Sequence, residues 1–445
     1  MVKNILIISY LFAPENAIGA IRPLKIAKYL KKNKYNVDVV TTSLKNEKDE
    51  KLKEDIKPID RITELNHTTP FLNFYNRLMN KLNKKNLSIQ KGNSKSIENK
   101  LKKSYSIRKT ISFNIRYSIS LYKSYDFFKV FKENVKSNPQ TYKKYEVCIS
   151  TFGPTASLLS GLWLKRKFPN IKWICDFRDP MVLEDTPFLF KNYNRYLQKK
   201  ACKNADYIVA VSEGYLDRIC KNKYHDKSYV IPNGYDIEDL DEIGSQDKPQ
   251  KFSLVYPGAL YGGKRKITPL FRVLSELAKE KKIDLYDIEF WYAGSQFNIL
   301  FEQAQAYSIE DILVNHGTLS RKDCLELQCK SRYLILSTWN NNGEEGVFPG
   351  KILEYMLFNK PIIALVSGNK ANSEIYQMIH NSKIGIAYEE MQAEHYILLK
   401  EYILNEYKRF KKGLEPTFNS DEAFVNKYNY LNIIKDFIFL IERSS

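Results

Sequence analysis

The residues from Gly346 to Met356 read Gly-Val-Phe-Pro-Gly-Lys-Ile-Leu-Glu-Tyr-Met and are followed by an apolar run from Pro361 to Val366. That order spells a glycine-bordered turn, a short helix over 350–358 and a buried strand. Pro349 supplies the φ of a first helical position, and Gly350 lets backbone come close to a ligand. The free N–H groups and dipole of a helix start favour an anion, so the turn suits a phosphate. Lys351 and Glu354 fall one turn apart on one face. The lysine offers a cation to that phosphate. The glutamate offers a carboxylate that can accept two hydrogen bonds from a ribose diol. Taken alone, the same residues also read as an ordinary helix start.

A site of this kind needs a scaffold, and the chain is long enough to build one. With 445 residues, 43% of them apolar, it exceeds the size at which a single core stops growing, so about two to three domains are expected. The six cysteines, at 148, 175, 202, 220, 324 and 329, form no C-x-x-C pair and lie in or beside apolar segments. Neither zinc nor a disulfide framework is suggested, and a reducing cytoplasm fits. The five histidines, at 67, 225, 316, 380 and 395, show no metal-ligand spacing. The apolar start from Ile5 to Ala13 lacks a small-residue cleavage site and runs into Pro14-Glu15-Asn16, so it reads as a first buried strand. No apolar stretch approaches the roughly 20 residues of a bilayer span, which leaves only peripheral membrane contact.

The formal charge of +19 calls for an acidic partner or surface. Much of the excess is local: from Lys81 to Lys109 ten basic residues face the single acid Glu98. Phe113 to Val135 then mixes aromatic and aliphatic residues with lysines, the pattern of an amphipathic helix that seeks an anionic membrane surface, or of a core helix beside a solvated loop. No nucleic-acid motif accompanies the basic run, so a nucleic-acid partner is not expected.

Strand and helix patterns alternate along most of the chain. Strands at Ile5–Ser9, Val37–Thr41, Val147–Ser150, Lys172–Asp176, Tyr207–Val211 and Tyr229–Ile231 are separated by helices at Gly19–Lys32, Thr155–Lys165 and Tyr193–Lys203. A second series has strands at Phe252–Tyr256, Ile288–Ala293, Ile312–His316, Tyr333–Ser337 and Pro361–Val366, with helices between. Strands apolar on both faces make parallel sheets covered by helices, whose ligands sit beyond the carboxyl ends. The turn-rich, acidic stretch from Pro232 to Pro249 marks the boundary. The expected domains are 1–238, interrupted by an insertion over 45–140; 239–418; and a terminal helix within 419–445 that packs back on the first domain. Asp239-Leu240-Asp241 spells D-x-D, but its place in an acidic linker argues for solvated carboxylates rather than a metal. No G-x-G-x-x-G opens either half, against a nicotinamide dehydrogenase.

Several landmarks occur in one order: Pro14 to Pro23 after the opening strand, Asp176-Phe177-Arg178-Asp179-Pro180, Val211-Ser212-Glu213, Ile231-Pro232-Asn233-Gly234, Pro257 to Arg265, and the turn at Gly346 to Met356. Together they resemble the family-4 glycosyltransferases of the GT-B fold. The resemblance implies an α/β architecture of two Rossmann-like domains facing each other across a cleft. It implies a nucleotide-sugar donor, UDP- or GDP-linked, held mainly by the C-terminal domain. It also implies a glycan or polyprenyl-linked acceptor held mainly by the N-terminal one, without a cofactor or metal. Carried over residue by residue, it places Gly19, Gly258, Gly263, Lys264, Arg265, Asn342, Glu345, Phe348, Gly350, Lys351 and Glu354 at the donor, with Lys264 and Arg265 on its diphosphate and Glu354 on the ribose. Asp176 and Asp179 fall where the family sets an acceptor-contacting residue, and with Arg265 and Lys351 they form the expected catalytic set. Asp176 and Asp179 could equally form a structural turn bridged by Arg178.

One position departs from the family pattern. The family's first glutamate lies eight positions before the second, and here Gly346 stands there with Glu345 one residue off register. The loop Trp339 to Glu345 could substitute through its asparagines or Glu345. The family resembled is retaining, with the acceptor hydroxyl attacking on the face the nucleotide leaves and no protein nucleophile. The expectation is therefore a hexosyltransferase of bacterial surface-polysaccharide synthesis, cytoplasmic and peripheral on the inner face of the plasma membrane. A nucleotide-sugar epimerase or hydrolase of the same fold, or a catalytically silent sugar-nucleotide or membrane-binding module, are the alternatives.

Overall fold

The structure, a computed structural model, describes residues 3–15, 17–42, 50–66, 98–183, 186–221, 223–243, 249–342, 346–347 and 349–443. The chain forms two compact units. Unit 1 gathers the residues up to Val211, Leu216–Val230 and the chain from Phe437; unit 2 gathers Ser212–Tyr215 and Ile231–Asp436.

Unit 1 runs β1 (Asn4–Ile8), α1 (Ile18–Lys32), β2 (Asn36–Thr42), α2 (Glu50–Ile56), β3 (Arg61–Leu65), α3 (Glu98–Ser137), α4 (Pro139–Lys143), β4 (Val147–Phe152), α5 (Thr155–Lys167), β5 (Lys172–Phe177), α6 (Phe188–Asn204), β6 (Tyr207–Ala210), α7 (Glu213–Cys220) and β7 (Ser228–Val230). Its seven strands lie parallel in the order β3-β2-β1-β4-β5-β6-β7, with Ile5 opposite both Val37 and Val147. Ile5, Leu6, Ile7 and Ile8 are all fully buried, as a central strand covered on both faces requires. Because β2 and β4 pair on opposite sides of β1, a switch point lies between β1 and β4, where a crevice opens beyond the carboxyl ends.

Unit 2 repeats the plan. It runs β8 (Phe252–Pro257), α8 (Thr268–Lys279), β9 (Ile288–Ala293), α9 (Phe297–Gln305), β10 (Leu313–Gly317), α10 (Arg321–Lys330), β11 (Tyr333–Trp339), α11 (Lys351–Met356), β12 (Ile362–Ser367), α12 (Glu374–Ser382), β13 (Gly385–Glu389), α13 (Ala393–Lys411) and α14 (Glu422–Asn426). The sheet order is β10-β9-β8-β11-β12-β13, all parallel, so the switch point lies between β8 and β11. A final helix, α15 (Tyr430–Glu442), begins in unit 2 and ends in unit 1, where Lys3 Nζ donates to Ile441 O at 3.0 Å.

Three expectations change. Residues 50–66, read as part of an insertion, belong to the sheet: β3 pairs with β2 from Asp38↔Arg61 to Thr42↔Leu65. This strand and β13 escaped notice because both are edge strands with half-exposed faces, so neither shows a continuous apolar run. The aromatic stretch from Phe113 is the latter part of the 40-residue α3, and its end is core: Phe127, Phe131 and Val135 are fully buried. The terminal helix is broken, with α14 and α15 separated at residues 427–429. The basic run from Lys81 to residue 97 lies outside the described residues.

The same edge carries a buried ion-pair cluster. Lys25 and Lys28 of α1 each reach the Asp55 carboxylate of α2 at 2.7 Å. Burial raises the Asp55 pKa, but the two lysines outweigh it and hold the carboxyl below its ordinary 3.8. Asp55→Asn should therefore lower stability by about 3–5 kcal/mol in denaturant titration, since it leaves two buried ammonium groups without that carboxylate. Because the folded pKa is depressed, the native contribution is present above pH 3.8 and is lost as pH falls through the folded value.

Candidate functional site

In unit 2 the strands splay where a ligand would enter. Pairing between β8 and β11 covers Tyr333↔Leu254 and Leu334↔Val255, whereas β11 stays paired to β12 through Trp339↔Ser367. The segments leaving β8 and β11 at this opening carry most of the expected donor residues.

Gly258 follows β8 with φ +122, and an added Cβ would lie 2.6 Å from Lys351 Cε. The lysine stem therefore crosses a position that only glycine can leave open, which brings Lys351 from the first turn of α11 to the end of β8. The next turn contains Gly262 at φ +64 and Gly263 at φ +92, and beyond their chain neighbours no atom of the described residues lies within 4 Å of where a Cβ on either would sit. Backbone there is open to approach.

Arg265 is only 9% exposed. Its Nη1 donates to Ala259 O at 3.3 Å and to the Tyr256 hydroxyl at 3.4 Å, and its guanidinium lies 4.5 Å over the Tyr261 ring. Burial pushes the Tyr256 phenol up to about 12, with Arg265 opposing, so it stays protonated near neutrality. The buried Arg265 Nε finds no hydrogen-bond partner among the described residues. A buried cation with an unfilled donor is costly unless an anion completes it. Lys264 Nζ stands 5.4 Å over the Trp339 ring, and Tyr261 packs on the same indole at 5.8 Å, so the β8 turn and the end of β11 hold each other.

The helix expected over 350–358 is shorter, spanning Lys351–Met356. Such a helix carries little dipole, so the positive charge here comes chiefly from Lys351, Lys264 and Arg265. Among the described residues beyond its chain neighbours, none comes within 4 Å of where a Cβ on Gly350 would sit. Glu354 is held by two side chains that sequence reading did not single out. Gln328, fully buried on α10, donates from Nε2 to Oε1 at 2.8 Å, and Arg321 Nη1 reaches Oε2 at 3.5 Å. Arg321 also pairs with Asp239 at 3.0 Å. Asp239 is thus a buried partner rather than the solvated linker acid expected from its acidic neighbours. No motif announces Gln328; only its helical position facing Glu354 does.

Asn342 uses its backbone N–H, which donates to Asn369 Oδ1 at 2.9 Å, and keeps its side chain exposed. Glu345 and Phe348 lie outside the described residues. Gly346 explains the departure from the family pattern. It has φ +76, and a Cβ there would come 2.9 Å from Tyr215 N and 3.0 Å from Gly214 Cα, while its carbonyl accepts from Ser212 Oγ at 3.2 Å. Any side chain at 346 would meet backbone.

Gly19, Asp176 and Asp179 are assembled in unit 1. Asp176 is withdrawn from any ligand: it is 0% exposed, and Arg22 binds it through Nε at 3.0 and 3.1 Å and Nη2 at 2.8 Å. A carboxylate so committed holds the fold rather than an acceptor. Arg178, not singled out for a role of its own, fills the crevice between β1 and β4. Its Nε and Nη2 each donate at 3.3 Å, to Phe152 O and Gly153 O. Added Cβ atoms on Gly19 and Gly153 would lie 2.7 and 2.4 Å from its guanidinium nitrogens. The Gly19 position is therefore closed over by Arg178 and Leu11, where a backbone open to diphosphate was expected. Asp179 remains at the carboxyl edge, and burial raises its pKa against the opposing charge of Arg178.

Substituting Gly346→Glu should cost about 1–3 kcal/mol of stability from positive φ alone, more with the backbone clash, read as a lower urea midpoint. A protein as stable as the wild type would contradict the close approach of residues 214 and 346.

Residues 99–239 match Glycosyltransferase Family 4. No curated protein sequence matches the chain. Among solved structures, sucrose-phosphate synthase from Thermosynechococcus elongatus superposes with TM-score 0.58 at 14% identity, covering 98% of each chain. A lipopolysaccharide outer core galactosyltransferase, WaaB in its apo form, gives 0.55 at 14% identity, covering 99% of each. A UDP-GlcNAc 2-epimerase from Neisseria meningitidis, bound to UDP-GlcNAc, gives 0.52 at 13% identity, again covering 99% of each. With parallel sheets of seven and six strands and a family-4 match over residues 99–239, the chain is of the glycosyltransferase GT-B fold.

Proposed function

We propose that the protein is a retaining hexosyltransferase that moves a sugar from a UDP- or GDP-sugar to a glycan or polyprenyl-linked acceptor in bacterial surface-polysaccharide synthesis. The observation that carries this reading is the buried Arg265 Nε, without a partner among the described residues, beside Lys264 and Lys351 at the opening between β8 and β11. Three cations around open glycine backbone suit a diphosphate. They stabilise it most when the sugar–oxygen bond breaks and charge gathers on the departing phosphate, so the interaction lowers the barrier rather than only the binding constant.

In this reading Glu354 accepts from the ribose hydroxyls, and Gln328 and Arg321 hold its carboxylate. The acceptor hydroxyl attacks the anomeric carbon on the face the nucleotide leaves, the old carbon–oxygen bond breaks, and a phosphate oxygen of the leaving group takes the hydroxyl proton. Asp179 orients the acceptor. The chemistry asks for no metal, because side-chain cations meet the diphosphate. Contact with an anionic membrane surface is part of the proposal. Among the described residues no helix is long and apolar enough to cross a membrane.

An epimerase or hydrolase of the same fold is the second reading, favoured by the structural likeness to the UDP-GlcNAc 2-epimerase. Donor turnover without any acceptor would select it.

A thermal-shift panel with uridine, guanosine and adenosine diphosphates tests the reading. The cognate nucleotide should stabilise the fold by about 2.7 kcal/mol at a hundred times its dissociation constant. Glu354→Ala should abolish that shift. Gln328→Leu should weaken binding about tenfold for the ribonucleotide but not for its 2′-deoxy counterpart, as expected on removing a charge-assisted hydrogen bond behind the ribose ligand. Full-strength ribonucleotide binding by either variant would count against the ribose assignment.

Asp179→Asn should keep the nucleotide shift and lose transfer. Burial disfavours the Asp179 charge, so the wild type loses stability as pH rises through the raised pKa. The asparagine variant should accordingly be the more stable at pH 7, with the difference closing as pH falls toward 3.8. Unchanged transfer would remove Asp179 from the mechanism.

A further inference from the structure

Helix α6 presents an outward face that the described residues of unit 1 leave largely exposed. Phe188 and Leu189, in its first turn, are 84% and 77% exposed, and Tyr196 is 56% exposed two turns on. The helix has no acidic residue and five cations: Lys191, Arg195, Lys199, Lys200 and Lys203. Glu184 and Asp185, which precede it, lie outside the described residues and leave the segment strongly basic.

The inward face is clamped. Asn194 Nδ2 donates to Met181 O at 2.8 Å, Gln198 Oε1 accepts from Met181 N at 2.9 Å, and Gln198 Nε2 donates to Ile219 O at 3.1 Å. Buried polar anchors of this kind fix which face of a helix points outward. Exposed apolar side chains are thus held in place rather than left to fold inward.

The patch continues onto α3. Tyr117 of α3 packs on Phe190 with tilted rings 5.0 Å between centroids and accepts a hydrogen bond from Asn194. One turn before it, on the same face of α3, Phe113 is exposed as well. Lys200 donates to the Tyr196 hydroxyl at 3.0 Å, so the ammonium sits at the rim of an aromatic ring. Cations interleaved with aromatic and aliphatic side chains on one helical face match an anionic lipid surface, where the charges meet headgroups and the apolar groups enter the acyl boundary. A second copy of the same face fits poorly, because an isologous contact would set like charges against each other.

We infer that the exposed face of α6, with the adjoining turns of α3, seats unit 1 on an anionic bilayer, with Phe188 and Leu189 as the inserting tip. The position in the fold gives this a use. Helix α6 follows β5, so its first turn lies at the carboxyl edge that carries Arg178 and Asp179. Seating this edge on the membrane brings it to the level at which a lipid-linked acceptor displays its sugar. The inference deepens the membrane contact of the proposed function by naming the face that makes it, and its link to an acceptor rests on that reading.

The test uses the full chain and vesicles of phosphatidylcholine, alone or mixed with phosphatidylglycerol. The wild type should cosediment with the mixed vesicles and little with phosphatidylcholine alone, and added salt should weaken the binding. F188S/L189S should partition about tenfold less or lower, with an unchanged circular dichroism spectrum. F188W should show blue-shifted emission only with mixed vesicles. Equal partition of F188S/L189S and wild type, absence of wild-type binding to mixed vesicles, or unshifted F188W emission would each overturn the inference. So would concentration-dependent self-association lost in F188S/L189S. Nucleotide thermal shifts, measured alongside, separate failure of the donor reading from failure of the membrane contact.

Discussion

Lys351 crosses Gly258, and much of the unit 2 site depends on that crossing. A side chain at 258 would lie 2.6 Å from the lysine Cε, so a single missing methyl lets the start of α11 bring its cation to the end of β8. The sheet makes the crossing worthwhile. Pairing between β8 and β11 involves residues near Val255 and Leu334, and the chain beyond them separates. Helices leaving on opposite sides of the switch point leave that space uncovered. Lys264 and Arg265 are fixed at its rim by the Tyr261 and Trp339 rings.

Preorganisation is the common thread. Arg265 is buried and oriented by Ala259 and Tyr256 before any ligand arrives, at the expense of an Nε that no described residue fills. Glu354 is likewise held from behind by Gln328 and Arg321. Donors and acceptors fixed in advance need no reorganisation when charge develops, which is where electrostatic catalysis gains most.

Unit 1 uses the same sheet plan with different chemistry. Its switch point is filled by Arg178, seated where Gly19 and Gly153 lack side chains, and is underpinned by the enclosed Arg22–Asp176 pair. The two aspartates of one short motif are therefore divided in role. Asp176 points into the core, and Asp179, three residues later and past the end of β5, stays at the edge. A strand alternates its side chains between faces, and the turn that follows does not.

The sequence by itself determined the alternation of strands and helices, the two parallel sheets and the loops that bear Gly258, Lys264, Arg265, Lys351 and Glu354. Those follow from apolar runs and glycine positions, which are local signals, with Lys351 and Glu354 on the short helix that follows such a turn. It missed β3 and β13, because an edge strand with a half-wet face has no continuous apolar run. It did not single out Gln328 or Arg178, whose importance comes from residues far along the chain. Only the tertiary structure decided that Asp176 is sealed by Arg22, that Arg178 covers Gly19, and that Gly346 cannot be a glutamate because backbone at Gly214 and Tyr215 presses against it. Contacts of that kind arise when distant segments pack, and no spacing along the chain encodes them.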